Sequence, residues 1–142
     1  MDQYNLNGFR RLIVWQKMKM LTVQIYHTLR GFPKEELYGL TSQMKRASVS
    51  VASNIAEGNQ RRSSKDKIRF FNIAQGSLVE LDCQLDIALE LGFIEKGNYG
   101  KILEMINKTG FLLTRLIQSE IGKNNPTNPT SLANRTNPPL YG

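Results

Sequence analysis

Apolar residues recur at steps of three and four along four stretches of the chain, the spacing of one buried helix face. They predict helices over about residues 10–30, 34–58, 64–91 and 98–121. The third stretch is the most regular, with its apolar seam at Phe71, Ala74, Leu78, Leu81, Leu85 and Ala88. No stretch shows the apolar–polar alternation of a half-buried strand. The sequence therefore predicts an all-α protein.

Glycine and proline mark where these helices end. Gly31-Phe32-Pro33 and Gly58-Asn59 close the first two, Gly92 and Gly122 the last two, and Ser63 or Ser64 can cap the third. Helices of similar length joined by short connections pack antiparallel, which predicts an up-down-up-down four-helix bundle over residues 1–122. Residues 123–142 hold four of the five prolines and five asparagines, a composition that predicts a disordered tail.

The seams predict a core and leave some apolar residues over. Leu113 and Leu116 on the fourth helix join Phe71, Leu78, Leu81 and Leu85 as predicted core residues. Phe70 and Phe71 are adjacent on a helix and cannot both be fully buried against one seam, so one of them is expected to meet a partner chain or a base. The candidates for a subunit interface are Ile13, Phe70, Ile73 and Leu112.

The charge is unevenly distributed between the two halves of the chain. The formal net charge is +7, and residues 9–70 carry 13 Lys and Arg against four Asp and Glu, a net charge of +9. Residues 71–122 carry four basic and seven acidic residues, a net charge of −3. A basic half can face a polyanion, or it can pair with the acidic half within one chain or between subunits.

Basic residues are expected to gather where the second helix passes to the third: Lys45, Arg46, Arg61, Arg62, Lys65, Lys67 and Arg69. The loop from Arg61 to Lys65 precedes a helix N-terminus, whose backbone N–H groups also favour phosphate. We predict nucleic-acid contacts at Lys45, Arg61, Arg62, Lys65 and Lys67 and expect Arg46 to be structural. The alternative is a loop that only promotes solubility.

The sequence offers little catalytic chemistry. It contains one cysteine, Cys83, one histidine, His27, and no motif for a phosphate-binding loop, a dinucleotide site or a zinc protease. Asp82, Asp86 and Glu90 form an acidic stripe that we interpret as a solvated or ion-pairing face. We expect no metal, no cofactor and no enzymatic activity. Without a signal segment or a long apolar run, we expect a cytoplasmic protein with no membrane contact.

A polar stripe follows one side of the second helix. Gln43, Arg46, Ser50, Asn54 and Glu57 are spaced at steps of three and four, so they share a face. One interpretation is a network of hydrogen bonds that fixes helix register, with Glu80 as a partner for Arg46 or for the small-residue face near Gly76 and Ser77. The other is a surface that contacts a second subunit or a ligand. Gly39 is expected to admit a close helix neighbour.

A long motif in this region resembles a known family. It consists of Phe32-Pro33, Glu36, Tyr38-Gly39-Leu40, Gln43, Arg46-Ala47, Ser50 and Asn54-Ile55-Ala56-Glu57-Gly58, followed by Gly76-Ser77 and Glu80, with Trp15 upstream. Over about residues 9–121 the chain resembles the 23S rRNA intervening-sequence proteins. This resemblance implies a four-helix bundle and a homopentameric ring. Some members are encoded inside insertions in the large-subunit ribosomal RNA gene, and the molecular activity of most is not established.

The same family is distantly similar to the accessory variability protein of diversity-generating retroelements, a basic pentamer that binds nucleic acid. Two functional hypotheses follow. In the first, the protein is a non-enzymatic oligomeric bundle that binds structured RNA or another nucleic acid through its basic surface. In the second, it is an oligomeric scaffold or adaptor whose basic half meets acidic residues of a second subunit or of a protein partner.

Overall fold

A computed structural model describes residues 8–124, and residues 1–7 and 125–142 lie outside the described range. Four helices account for most of it: α1 (Ile13–Leu29), α2 (Leu40–Gln60), α3 (Ser64–Glu90) and α4 (Lys96–Asn124). A short 3-10 turn, Gly8–Arg11, precedes α1, and another, Lys34–Glu36, precedes α2. The predicted tail, 123–142, falls outside the described residues except at Lys123 and Asn124, which continue α4.

The helices form the predicted four-helix bundle. Helix α1 packs on α2 and α4, and α3 packs on the same two helices, so consecutive helices are neighbours and the chain runs up, down, up and down. Within residues 8–124 the structure contains no strand. None of the helices in that range is long and apolar enough to cross a membrane.

The core contains five of the six residues predicted for it. Phe71, Leu78, Leu81, Leu85 and Leu113 are at most 1% exposed, and they pack with Met18, Leu21, Ile25, Met44, Ile55, Ile102 and Ile106. Leu116 is half-buried and packs against the edge of this core, so its full burial was a wrong prediction.

Helix α2 begins later than predicted, at Leu40 rather than near residue 34. The backbone from Lys34 to Gly39 turns first, and the Glu36 carboxylate then accepts a hydrogen bond from the Leu40 N–H at 3.1 Å. Glu36 thereby caps α2 from its side chain. Gly39 stands against this carboxylate, since a Cβ there would lie 2.8 Å from Glu36 Oε2. The expectation that Gly39 admits another helix was wrong.

Helix α3 has the ends that the sequence predicts. The Ser63 hydroxyl accepts a hydrogen bond from the Asp66 N–H at 3.1 Å, so Ser63 is its N-cap. At the other end Gly92 adopts φ 76°, and the Phe93 N–H bonds to the Ala88 carbonyl at 2.9 Å. This is the left-handed glycine cap with a bond reaching back five residues. It turns the chain sharply into α4.

Candidate nucleic-acid interface

The N-terminus of α1, the C-terminus of α2, the N-terminus of α3 and the C-terminus of α4 meet at one end of the bundle. We call this the basic end and define it as residues 8–11, 57–69 and 120–124. It holds eight basic residues against three acidic ones, a net charge of +5. The basic residues are Arg10, Arg11, Arg61, Arg62, Lys65, Lys67, Arg69 and Lys123.

The opposite end is neutral by the same count. We call it the far end and define it as residues 30–46 and 86–96. It holds five basic and five acidic residues. The bundle is therefore electrically polar along its axis, which amino-acid composition alone does not reveal. A polyanion approaching this bundle meets its most favourable potential at the basic end.

Two arginines at the basic end stack on one phenylalanine. The guanidinium carbons of Arg61 and Arg69 lie 4.4 and 4.6 Å from the centroid of the Phe70 ring. Phe70 is itself 8% exposed, so the ring is a fixed platform and not an exposed stacking surface. Cation–π contact holds both guanidinium groups in place. The two side chains thus lose less conformational freedom when they bind a ligand.

Neither of these arginines is paired with a carboxylate. Within residues 8–124 the salt bridges are Lys108–Glu104 at 3.5 Å and Lys123–Glu120 at 3.0 Å. Each guanidinium therefore keeps N–H donors for an external acceptor, and two such groups side by side suit phosphate oxygens. We call Arg61, Phe70 and Arg69 the arginine platform.

Gly58 makes the arginine platform possible. A Cβ at this position would lie 2.6 Å from Phe71 Cε1 and 3.0 Å from Phe70 Cβ, closer than packed atoms approach. With glycine in α2, both aromatic residues of α3 are buried, Phe71 in the core and Phe70 beside Arg61. The prediction that one of the two rings faces a partner chain or a base was wrong for this reason. Little of the Phe70 ring is therefore accessible to a second subunit.

The buried carboxylate of Glu120 links α4 to the start of α3 at the basic end. Glu120 on α4 is 4% exposed and accepts hydrogen bonds from the Ser64 hydroxyl at 2.8 Å and the Lys123 ammonium at 3.0 Å. Burial raises the pKa of the Glu120 carboxyl, but these hydrogen bonds and the charges of Lys123 and Lys67 outweigh it, so the pKa lies below its ordinary value. The charge of Lys67 therefore stabilises the Glu120 carboxylate, in addition to any contact that Lys67 makes with a ligand.

The predicted contact residues do not all lie together. Arg61, Arg62 and Lys65 are exposed at the basic end, and Lys67 is half-buried there. Lys45 was misplaced by the prediction, because it lies sixteen positions before Arg61 along α2, about 24 Å at the rise of a helix. Its ammonium nitrogen lies 5.2 Å from the Tyr26 ring centroid at the far end.

The polar stripe of α2 divides into a bonded and an exposed part. The Ser50 and Ser77 hydroxyls are hydrogen-bonded at 2.9 Å and join α2 to α3, while the Asn54 amide donates to the Ser50 carbonyl at 2.8 Å. Gln43, Arg46, Glu57, Gly76 and Glu80 are exposed. Glu80 accepts a hydrogen bond from the Gln84 amide at 3.4 Å, and in the described range no ion pair joins it to Arg46.

The acidic stripe is also a surface feature. The Tyr99 hydroxyl donates to Asp86 at 2.5 Å, and this hydrogen bond raises the pKa of Tyr99. Burial, followed by the charge of Asp86, raises the pKa of Asp82. His27 and Cys83 are exposed. In residues 8–124 no group of three or more His, Cys, Asp or Glu side chains is placed to hold a metal ion.

Sequence reasoning missed two parts of this site. Arg10 and Arg11 reach the basic end because α1 runs antiparallel to α2, a signal that the predicted topology already contained. The role of Phe70 was missed because it depends on Gly58. Only when Gly58 is known to pack against Phe70 and Phe71 does the sequence indicate that the neighbouring arginines stack on a buried ring.

The family model described as 23S rRNA-intervening sequence protein matches residues 10–115. The match covers α1, α2 and α3 and the first twenty residues of α4, and it contains both the arginine platform and the polar stripe of α2. No curated protein matches the chain significantly.

Proposed function

The chain belongs to the 23S rRNA-intervening sequence protein family, whose function is uncharacterised, and we propose that it is a non-enzymatic bundle protein that binds structured RNA or another nucleic acid through the basic end. The observation that carries this proposal is the arginine platform, two guanidinium groups held on one ring without a carboxylate partner.

Charge and geometry both favour a phosphate backbone as the ligand. The basic end carries a net charge of +5, and two further exposed cations lie close to the platform in sequence, Arg62 in the connection between α2 and α3 and Lys65 in the first turn of α3. Arg61 and Arg69 can each give several parallel N–H donors to phosphate oxygens. Contacts to the phosphate backbone supply most of the affinity of such proteins but carry no sequence information. We therefore propose that the protein binds nucleic acid by charge and shape.

The test is fluorescence anisotropy with nuclease-treated protein, a labelled RNA hairpin and a DNA duplex of matched sequence. If three phosphates are neutralised, the logarithm of the binding constant falls with the logarithm of salt at a slope of about −2.7, or roughly 40-fold between 50 and 200 mM salt. Replacing Arg61 and Arg69 together by Gln is expected to reduce this slope by about two. Lys34→Gln with Lys45→Gln at the far end is the matched control.

The control pair is expected to leave the salt slope unchanged, because those lysines lie at the other end of α2. A slope that the Arg61 and Arg69 substitutions do not change would place binding elsewhere. Absence of binding at 50 mM salt would exclude the nucleic-acid proposal and leave the protein-partner scaffold.

We also propose that the protein is a homo-oligomer that self-associates through the outer face of α3. This face carries Ile73, Gly76, Glu80, Cys83 and Ile87 at steps of three and four, the repeat of a helix–helix seam. Ile73 and Ile87 are 46% and 47% exposed, and nothing lies within 4 Å of a Cβ built on Gly76. A second helix can therefore approach this face closely.

Self-association would multiply the basic ends and so strengthen nucleic-acid binding by avidity. Analytical ultracentrifugation tests it: Ile73→Glu with Ile87→Glu is expected to give the mass of a single chain. Val23→Glu, at an exposed residue of α1 that is not an interface candidate, is the control and is expected to leave the assembly intact. Equal masses for all three proteins would refute the α3 interface. The ring of five implied by the family resemblance stays a prediction that the same mass measurement checks.

A further inference from the structure

A concave pocket at the far end is unused by the proposed function. The last turn of α1, the loop that follows it and the first turns of α2 enclose about 530 Å³ there. This volume is typical of small-molecule sites. Its apolar lining is formed by Leu29, Phe32, Pro33 and Leu37.

Three cations line this pocket, and no acidic residue does. They are Arg30, Lys34 and Lys45. Both salt bridges in residues 8–124 lie elsewhere, so none of the three has a carboxylate within 4 Å. Lys45 is held over the Tyr26 ring, which also lines the pocket. Positive charges gathered without a counter-ion repel one another, and an anion bound between them relieves that repulsion.

Thr41 adds an independent observation. It lines the same pocket and is 6% exposed, and its hydroxyl makes no hydrogen bond to the described part of the chain. The hydroxyl oxygen is not among the fully buried, unpartnered atoms of the described residues, so it is accessible at the pocket surface and can donate to an acceptor there, beside the same three cations.

None of the five acidic residues of the far end lines the pocket or forms a salt bridge with these cations, and Glu35, which follows Lys34 in the same short turn, is exposed. The Glu36 carboxylate caps α2 through the Leu40 N–H. Asp86, Glu90 and Glu95 belong to α3 and the loop before α4. The far end is thus neutral as a whole but carries its positive charge around one apolar pocket.

We propose that this pocket binds a small organic anion. Its apolar body would lie on Phe32, Pro33 and Leu37, and its carboxylate or phosphate would face Arg30, Lys34 and Lys45, with the Thr41 hydroxyl as a further donor. The site is independent of nucleic-acid binding, since α2 separates it from the basic end by about 24 Å.

A matched pair of fluorescent probes tests this proposal on the full chain. The probe 8-anilino-1-naphthalenesulfonate joins an apolar body to an anionic group, and N-phenyl-1-naphthylamine has the same body without the charge. Titrations at low salt, where screening is weak, are expected to show one site with the anionic probe at least about tenfold tighter than the neutral one. Octanoate and phenyl phosphate then compete with the bound probe and distinguish a carboxylate ligand from a phosphate ligand.

Lysine substitutions locate the site. Lys34→Gln with Lys45→Gln is expected to weaken the anionic probe at least about tenfold, because two charge-assisted contacts are lost. Thr41→Val should weaken it severalfold. The control is Lys17→Gln with Lys108→Gln. Both lysines line another surface groove, together with Leu103, Phe111 and Leu112, and Lys108 is already paired with Glu104. That control is expected to change the affinity less than about twofold.

Equal affinity for the neutral and anionic probes would overturn the proposal. So would failure of both competitors, or an equal loss in the two lysine double variants. Unchanged thermal midpoints of all variants would show that a lost affinity reflects the site and not the fold.

Discussion

The two ends of the bundle are built by different physics. At the far end Phe32 and Phe93 pack with their ring centroids 5.5 Å apart, and Phe32 and Ile94 are 7% exposed. The glycine cap at Gly92 turns the chain over this apolar closure. The basic end also packs aromatic rings, with the Phe9 and Trp15 centroids 4.8 Å apart, but it adds a buried carboxylate and two stacked arginines.

This difference separates stability from binding. An apolar closure gains its free energy from burial and changes little with salt or pH. A closure made of Glu120, Ser64 and Lys123 depends on charge, and the arginines beside it have no internal carboxylate partner. The far end is expected to be the more stable end and the basic end the more responsive one.

Phe32→Ala is the largest disturbance that we expect. It removes a buried ring from the far end and should lower the free energy of unfolding by about 3–5 kcal/mol, because a cavity replaces the contact with Phe93. Urea denaturation of the two proteins measures the difference. Anisotropy with the RNA hairpin should be unchanged below the transition. A loss under about 1 kcal/mol would mean that the far end is not closed by this packing.

Gly58→Ala tests the packing at the basic end, again through the free energy of unfolding measured by urea denaturation. The added methyl meets the Phe71 ring at 2.6 Å, and this ring lies in the core and cannot move aside, so a loss of about 1–3 kcal/mol is expected. Gly100→Ala, within α4 and outside the proposed α3 interface, is the control. Nothing lies within 4 Å there, and the helical propensity of alanine should raise the stability of the single chain by up to about 1 kcal/mol. Equal effects at both glycines would contradict the close approach at Gly58.

The periodic core and the ends of α3 could be predicted because their causes are local in sequence. The seam of Leu78, Leu81 and Leu85 follows from a helical repeat, and Ser63 and Gly92 act on residues next to them. The start of α2 could not be predicted so well. A side-chain cap from Glu36 competes there with helix formation, and sequence pattern does not decide between them.

The candidate site could be predicted only in part. The position of Arg61, Arg62 and Lys65 at one end of the bundle could be predicted because they lie within five residues of one another around the start of α3. Lys45 was misplaced because a charge count ignores the length of a helix. The stacking of Arg61 and Arg69 on Phe70 depends on a long-range contact at Gly58, and no local pattern encodes that contact.

Glu120→Gln is expected to act through charge. The pKa of Glu120 is lowered in the folded protein from an ordinary value of 4.5, so its stabilisation is complete above that value and is lost as pH falls through the folded pKa. At pH 7 the substitution should cost about 1–2 kcal/mol through the weakened bonds to Ser64 and Lys123. Well below pH 4.5 the two proteins should be equally stable. Urea denaturation across this pH range measures the cost.

Glu104→Gln provides the exposed control for that experiment. Glu104 pairs with Lys108 at 3.5 Å, but both side chains are more than 60% exposed. Its removal should change stability by at most a few tenths of a kcal/mol at any pH. A cost for Glu120→Gln that persists unchanged at low pH would assign its effect to packing.

The smallest expected change in stability comes from single charges at the two ends. Arg62→Gln at the basic end and Lys34→Gln at the far end remove exposed cations, and each should shift the free energy of unfolding by less than about 0.5 kcal/mol. Their binding effects should differ. Arg62→Gln should reduce the salt slope of RNA binding by about one, whereas Lys34→Gln should leave it unchanged. If both variants reduce the slope equally, the nucleic acid is attracted by net charge alone, and the axial polarity of the bundle has no part in binding.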